Sequence, residues 1–296
     1  EKGDPASART AIARNLVAVA SRENGAPRCV AINRATREKY LESTNLIQRL
    51  ALEKDNGLAW YLLAIETGDT NQILRAVARK NPQALNAWGT YLTTAAFDGP
   101  SQEEGAGMLS RAQQCFKDAA AQGDANGMYN LGMCLSRGLG GTVDREGAFN
   151  CFRSAAESGH PEAINNVGYY FMNGIVVEKD PETAKRWYKK SSDQKNPYGM
   201  FNYATILRDE GRDEEAVRLF RESALADCVE AMAVYGEMLR DGKGVPEDKP
   251  HAFIMFKRAA ECGYPAAMDL LADCYEKGVG VKADERKSTL WHIRAR

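Results

Sequence analysis

Apolar and small residues recur along this 296-residue chain at a long, fixed period. An alanine, an aromatic four positions on and a small residue three further form a ladder. It reads Ala112, Phe116, Ala119; Ala148, Phe152, Ala155; Ala184, Tyr188, Ser191; Ala216, Phe220, Ser223; and Ala252, Phe256, Ala259. Successive copies lie 36, 36, 32 and 36 residues apart. A second series runs in register: Leu131-Gly132, Val167-Gly168, Tyr203-Ala204, Tyr235-Gly236 and Leu271-Ala272. Four residues before each small position stand Met128, Ile164, Met200, Met232 and Met268; three after it stand Leu135, Phe171, Leu207, Leu239 and Tyr275. Offsets of three and four mark one buried helical face. Each repeat is therefore two helices, one with Gly or Ala at its waist and one carrying the ladder. A period of this length predicts an all-α stacked solenoid of helix pairs.

Glycine inside a helix costs about 1 kcal/mol relative to alanine. Its recurrence at the waist predicts close approach of the paired helix, which offers Ala148, Ala184 or Ala252, with the aromatic one turn on filling the space where the helices diverge. The connections repeat as well: Gly138-Leu139-Gly140, Gly174-Ile175-Val176-Val177, Gly242-Lys243-Gly244-Val245 and Gly278-Val279-Gly280-Val281. Six residues after each first glycine comes Asp144, Asp180, Asp248 or Asp284. The glycine fits a left-handed helix C-terminus, the aspartate an N-cap, and Pro181 a first helical position. No Gly-Lys-Ser/Thr follows, so these loops do not read as a phosphate cradle.

One connection is four residues shorter, Glu210-Gly211-Arg212-Asp213. Its unit has the spacing of a tetratricopeptide repeat. The longer units resemble the Sel1-like repeat, most specifically at Phe152–His160 and Phe256–Tyr264. The resemblance covers roughly residues 106–290. The third unit departs from it by its short loop, by Ser191-Ser192 in place of Ala-Ala and by Lys195 in place of Gly. The resemblance implies a right-handed α-solenoid of paired antiparallel helices, with the waisted helices lining a concave surface. It also implies a non-enzymatic adaptor or scaffold that binds a protein or peptide, with a lean towards the bacterial periplasm or a secreted location.

The expected organisation is an N-terminal helix and loop over 1–35, degenerate units over 36–105 and about five Sel1-like units over 106–296, the last incomplete. The first segment holds a helix near Ala6–Ser21 and a loop at Asn24–Pro27. Ala59, Leu62, Leu63 and Ala64, and then Ala84, Trp88, Gly89 and Leu92, look like worn waisted helices. Thr36–Leu52 and Asn71–Lys80 are their expected partners, and Asp98–Ser101 the joint to the regular part. Ser288 and His292 take the alanine and aromatic positions of a sixth ladder helix. Because Glu1 is not methionine, sequence is expected upstream, where a removed signal peptide would go unseen.

A net charge of −1 offers no broad basic footprint for nucleic acid, and no apolar run reaches the ~20 residues that span a bilayer. The seven cysteines (Cys29, Cys115, Cys134, Cys151, Cys228, Cys262 and Cys274) contain no Cys-x-x-Cys and read as small buried hydrophobes, an isolated disulfide being the alternative. His160, His251 and His292 lack partners at metal-ligand spacing, so no metal or cofactor is expected. Ser192-Asp193-Gln194-Lys195 matches the Ser-x-x-Lys of penicillin-binding enzymes, but its companions Lys-Thr-Gly and Ser-Asp-Asn are absent. Nothing supports a hydrolase, although single acids such as Glu230 and Asp269 stay open.

Two residues before each waist lie Asn130, Asn166 and Asn202, giving way to Val234 and Leu270. Asparagine both donates and accepts, so this ladder can pair with an extended peptide backbone. Tyr129, Asn165, Tyr169 and Phe201 would add flat apolar contact and polar adaptability. Arg208 and Arg240 would meet an acidic side chain or a C-terminal carboxylate. The competing reading has the asparagines hydrogen-bonding backbone in the neighbouring unit. A further alternative is self-association through an apolar C-terminal end that includes Leu290 and Ile293.

Overall fold

The computed structural model describes residues 50–52, 54–98 and 101–295. The expected helix at 6–21, the loop at 24–27, most of the 36–52 helix, Cys29 and the centre of the 98–101 joint lie outside them. All regular structure among the described residues is helical. The chain divides into two compact units, Glu1–His160 and Pro161–Arg296. The first holds α1 (Gly57–Thr67), α2 (Thr70–Ala78), α3 (Pro82–Phe97), α4 (Gln102–Ala120), α5 (Ala125–Arg137) and α6 (Arg145–Glu157). The second holds α7 (Pro161–Asn173), α8 (Pro181–Asp193), α9 (Pro197–Asp209), α10 (Asp213–Leu225), α11 (Val229–Asp241), α12 (Lys249–Glu261), α13 (Pro265–Lys277) and α14 (Glu285–Ala295). Within each unit, consecutive helices joined by short loops pack as hairpins, the all-α helical-repeat architecture expected.

The helix boundaries follow from local chemistry. Asp144, Asp180, Asp248 and Asp284 accept hydrogen bonds from the backbone N–H of Gly147, Thr183, His251 and Lys287 at 2.8–3.1 Å, the N-cap geometry expected. Their own N–H groups donate back to Leu135, Phe171, Leu239 and Tyr275, which clasps each loop onto the waisted helix. Gly138, Gly242 and Gly278 close α5, α11 and α13 in the left-handed conformation. In the degenerate region, Asn56, Asp69 and Asn81 cap α1, α2 and α3.

The waist glycines serve a different purpose from the one expected. A Cβ at Gly89, Gly132, Gly168 or Gly236 would lie 2.6–2.8 Å from a ring carbon of Phe116, Phe152, Tyr188 or Phe256. The aromatic itself fills the waist, rather than the gap beyond an alanine contact. Ala204 keeps the same register in the short-loop pair, where Phe220 is still fully buried. The small ends of the ladder form a second seam: Ser191 and Ser223 donate their hydroxyls to the carbonyls of Pro161 and Pro197 at 3.0 and 2.7 Å. The replacement of Ala by Ser is thus satisfied by hydrogen bonding, as burial requires.

Phe116 sits on Gly89, so α3 and α4 form a full pair of the same kind. Their lengths of 16 and 19 residues, against 13 in α5–α13, move waist and ladder out of register and disguise the pair in sequence. Val176 marks the strained spot. It adopts φ +53 where the equivalent loop positions are Gly140, Gly244 and Gly280, and β-branched residues seldom tolerate that region.

Candidate functional site

The candidate surface is formed in the second unit by the waisted helices α9, α11 and α13. Positions two before, one after, two after and five after each waist share a helical face. Two clefts open along it. One, of about 440 Å³, has Arg208 of α9 on one side and Val234, Glu237, Met238 and Asp241 of α11 on the other, with Ala216, Val217 and the Lys243-Gly244 loop around it. The other, of about 300 Å³, has Arg240 of α11 facing Leu270, Asp273, Cys274 and Lys277 of α13, with Val279. These sets correspond position by position: Arg208 with Arg240, Val234 with Leu270, Glu237 with Asp273, Met238 with Cys274, Asp241 with Lys277. The recess is a repeated element with an apolar floor and a charged rim.

The two arginines are held differently. Each guanidinium lies over a ladder aromatic, Arg208 at 5.7 Å from the Phe220 centroid and Arg240 at 6.0 Å from that of Phe256. Arg240 is also forked by Asp241, with Nε to Oδ1 at 2.7 Å and Nη2 to Oδ2 at 3.2 Å, and Glu237 stands 3.7 Å away. Hydrogen bonds from Arg240 and then Lys243 hold the Asp241 carboxyl down to about 2. Arg208 has the looser neighbour Asp209, at 3.5 Å. Burial pushes the Cys274 thiol up to about 11, so it serves as a neutral wall.

The asparagine series holds the register position of Val234 and Leu270 on α5, α7 and α9. The Asn130 amide donates to Asn86 Oδ1 at 2.8 Å, joining α5 to α3, and the Asn202 amide donates to Asn165 Oδ1 at 2.8 Å, joining α9 to α7. In both, the residue two before one waist bonds the residue three before the preceding waist. Asn166 is half-buried on α7. Tyr129 stacks on His160, centroids 4.5 Å apart, and leans on Phe152. Phe201 meets the buried Phe220 edge-on at 5.8 Å. Tyr169 is half exposed, with Tyr170 at 6.5 Å. The structure therefore brings Arg208 and Arg240 into clefts and spends the Asn130 and Asn202 amides on helix neighbours. Glu237, Met238, Asp273 and Cys274 escaped sequence reasoning, although the waist register and helical spacing place them on the same face.

Among the described residues, all six cysteines are free; Cys134, Cys228 and Cys274 are buried, Cys115 and Cys151 half-buried and Cys262 exposed. Lys195, in a left-handed turn, pairs with Glu222 at 2.9 Å, and Ser192 is buried, so Ser-x-x-Lys belongs to a helix end. His292 departs from its expected core place: its side chain is 41% exposed and its Nδ1 lies 3.1 Å from Asp269 Oδ1. Leu290 and Ile293 are exposed on α14. No helix among the described residues is long and apolar enough to cross a membrane.

The sequence model of the Sel1 repeat matches residues 125–160, 161–196, 229–264 and 265–296, passing over the short-loop pair. Among solved structures, a Sel1 repeat protein from Oxalobacter formigenes shares 23% identity at a TM-score of 0.62, over 86% of this chain and 96% of that one. The protective antigen c5321 of uropathogenic Escherichia coli, which displays an SLR fold, shares 24% at 0.67, over 86% of this chain and 56% of its own length. This chain thus spans little more than half of c5321. Immunity protein Pa5087 from Pseudomonas aeruginosa shares 14% at 0.52, over 71% and 80%. At these identities the likeness concerns the fold. No curated protein matches the chain.

Proposed function

Since this chain is a Sel1-like repeat protein, and such repeats generally serve as protein-interaction scaffolds, we propose that it is a non-enzymatic adaptor holding an extended protein segment along α9, α11 and α13. The observation that carries this reading is the repetition of one cleft in two consecutive waisted helices. A segment lying across both would place apolar side chains on Val234 and Leu270. It would offer carboxylates, from acidic side chains or a C-terminus, to Arg208 and Arg240. The looser Arg208 is the stronger recruiter, because Arg240 must first yield part of its fork with Asp241. Tyr169 and Asn166 on α7 extend the proposed surface, and Asn202, Asn165 and Phe201 support it from within the packing; Asn130 and Tyr129 belong to the first unit.

The test is affinity capture from lysate of the source organism with the wild-type chain and with Arg208→Ala/Arg240→Ala. A partner retained by the wild type and lost by the double variant, with helical circular dichroism unchanged, is the expected outcome. A partner held equally by both chains would remove the clefts from the binding surface.

A further inference from the structure

Where α13 meets α14, the second unit gathers a mixed donor set, of which only Asp273 also lines a cleft of the adaptor reading. We propose that Asp273, Glu276 and His292 bind a first-row divalent cation, with zinc the best fit, and that Asp269 positions the histidine. One ligand atom from each of the three residues lies within 4.8 Å of the other two. Tetrahedral zinc, with bonds of about 2.0–2.2 Å, needs donors about 3.4 Å apart. The three side chains are partly or fully exposed, so rotation about their own bonds is the adjustment that the ion would require.

Three further observations point to a cation. Asp269, Asp273 and Glu276 follow one another at offsets of four and three, so α13 presents three carboxylates on one face. The Asp269 carboxylate lies 3.1 Å from His292 Nδ1, which leaves Nε2 as the ligating nitrogen. A carboxylate on the far side of a ligating imidazole is the usual support of a metal-bound histidine. Finally, His292 stands where the preceding pairs carry Phe116, Phe152, Tyr188, Phe220 and Phe256 in the core, yet it is half exposed. Packing alone would be served by another aromatic.

The cations nearby leave room for the ion. Lys277 Nζ donates to Asp273 Oδ2 at 3.0 Å, and a carboxylate has a second oxygen with which to take an ion. Arg240 is drawn to Asp241. Imidazole with carboxylates suits zinc or manganese, whereas calcium takes six to eight oxygens. Three protein ligands leave a fourth position to water, and the bound ion would pin α14 to α13 in place of the missing core aromatic.

Isothermal titration of the metal-free full chain with zinc chloride, read beside amide hydrogen exchange of α14, tests the site. The wild type should bind one zinc ion and slow exchange in α14. His292→Phe, which continues the ladder, and Glu276→Gln, a surface change, should each weaken binding at least ~10-fold; Asp269→Asn should weaken it by about 10-fold. Calcium at equal concentration should not compete. Equal zinc affinity in His292→Phe and Glu276→Gln would overturn the assignment, as would a wild-type chain with neither heat nor altered exchange.

Discussion

The junction between α7 and α9 and the junctions that follow it solve the same problem in opposite ways. At the first, the Asn202 amide donates to Asn165 Oδ1, and the two waisted helices pack directly. The α3–α5 junction in the other unit does likewise through Asn130 and Asn86. Between α9 and α11, and between α11 and α13, the corresponding positions are Val234 and Leu270, contact between the helices is slighter, and clefts of about 440 and 300 Å³ open. The short α9–α10 loop adds to the larger cleft, because the four residues that the longer connections carry are absent beside Arg208 and Asp213. A side-chain hydrogen bond therefore seals a junction, and its replacement by an aliphatic residue leaves a recess with apolar walls. The asparagine ladder is informative by where it stops.

The strongest way to break this contrast is at its floor. Phe256 lies under Arg240, is fully buried and fills the Gly236 waist. Phe256→Ala should cost about 3–5 kcal/mol in denaturant unfolding and disorder the α11–α13 cleft, because the cavity cannot collapse around a glycine waist. A cost below about 1 kcal/mol would mean that the ring does not hold the pair together. A smaller effect tests the sealed junction. Asn202→Ala removes one side-chain hydrogen bond and leaves Asn165 without that donor, so it should cost about 1 kcal/mol. Asn165→Ala/Asn202→Ala should cost less than the sum of the two single changes. Strict additivity in that double-mutant cycle would break the link between the asparagines and helix spacing.

The smallest effect is electrostatic and belongs to the cleft rim. The Asp241 carboxyl titrates lower in the folded chain than in the unfolded one. Its favourable contribution is therefore present above the ordinary carboxylate range near 3.8 and is lost as pH falls through about 2. Asp241 is close to the surface, so the effect on stability is slight, and it is best read by comparing wild type with Asp241→Asn. The two should converge in thermal midpoint as pH approaches 2 and differ at pH 5; a constant difference across that range would remove the Arg240 fork.

Much of this architecture was legible beforehand because repetition makes one packing solution visible several times. The capping aspartates were readable for a second reason, that an N-cap bonds a backbone N–H three residues away. The site was less legible. Arg208 and Arg240 were found through register, but the partners of Asn130 and Asn202 lie 44 and 37 residues away and depend on how neighbouring helices are placed. The α3–α4 pair was hidden by its length, and the surroundings of His292 by the fact that its acids lie on another helix.

The sequence by itself determined the helices of the regular repeats, their ends, their pairing and all of their core ladder but His292, because these follow from local hydrogen bonding and from apolar positions at helical spacing. Only the tertiary structure decided what the glycine waists accommodate, which junctions close and which open, and which charged groups converge. Those outcomes depend on differences of about an ångström in the spacing of helices whose axes lie roughly 8–10 Å apart, and a period in the sequence carries no such distance.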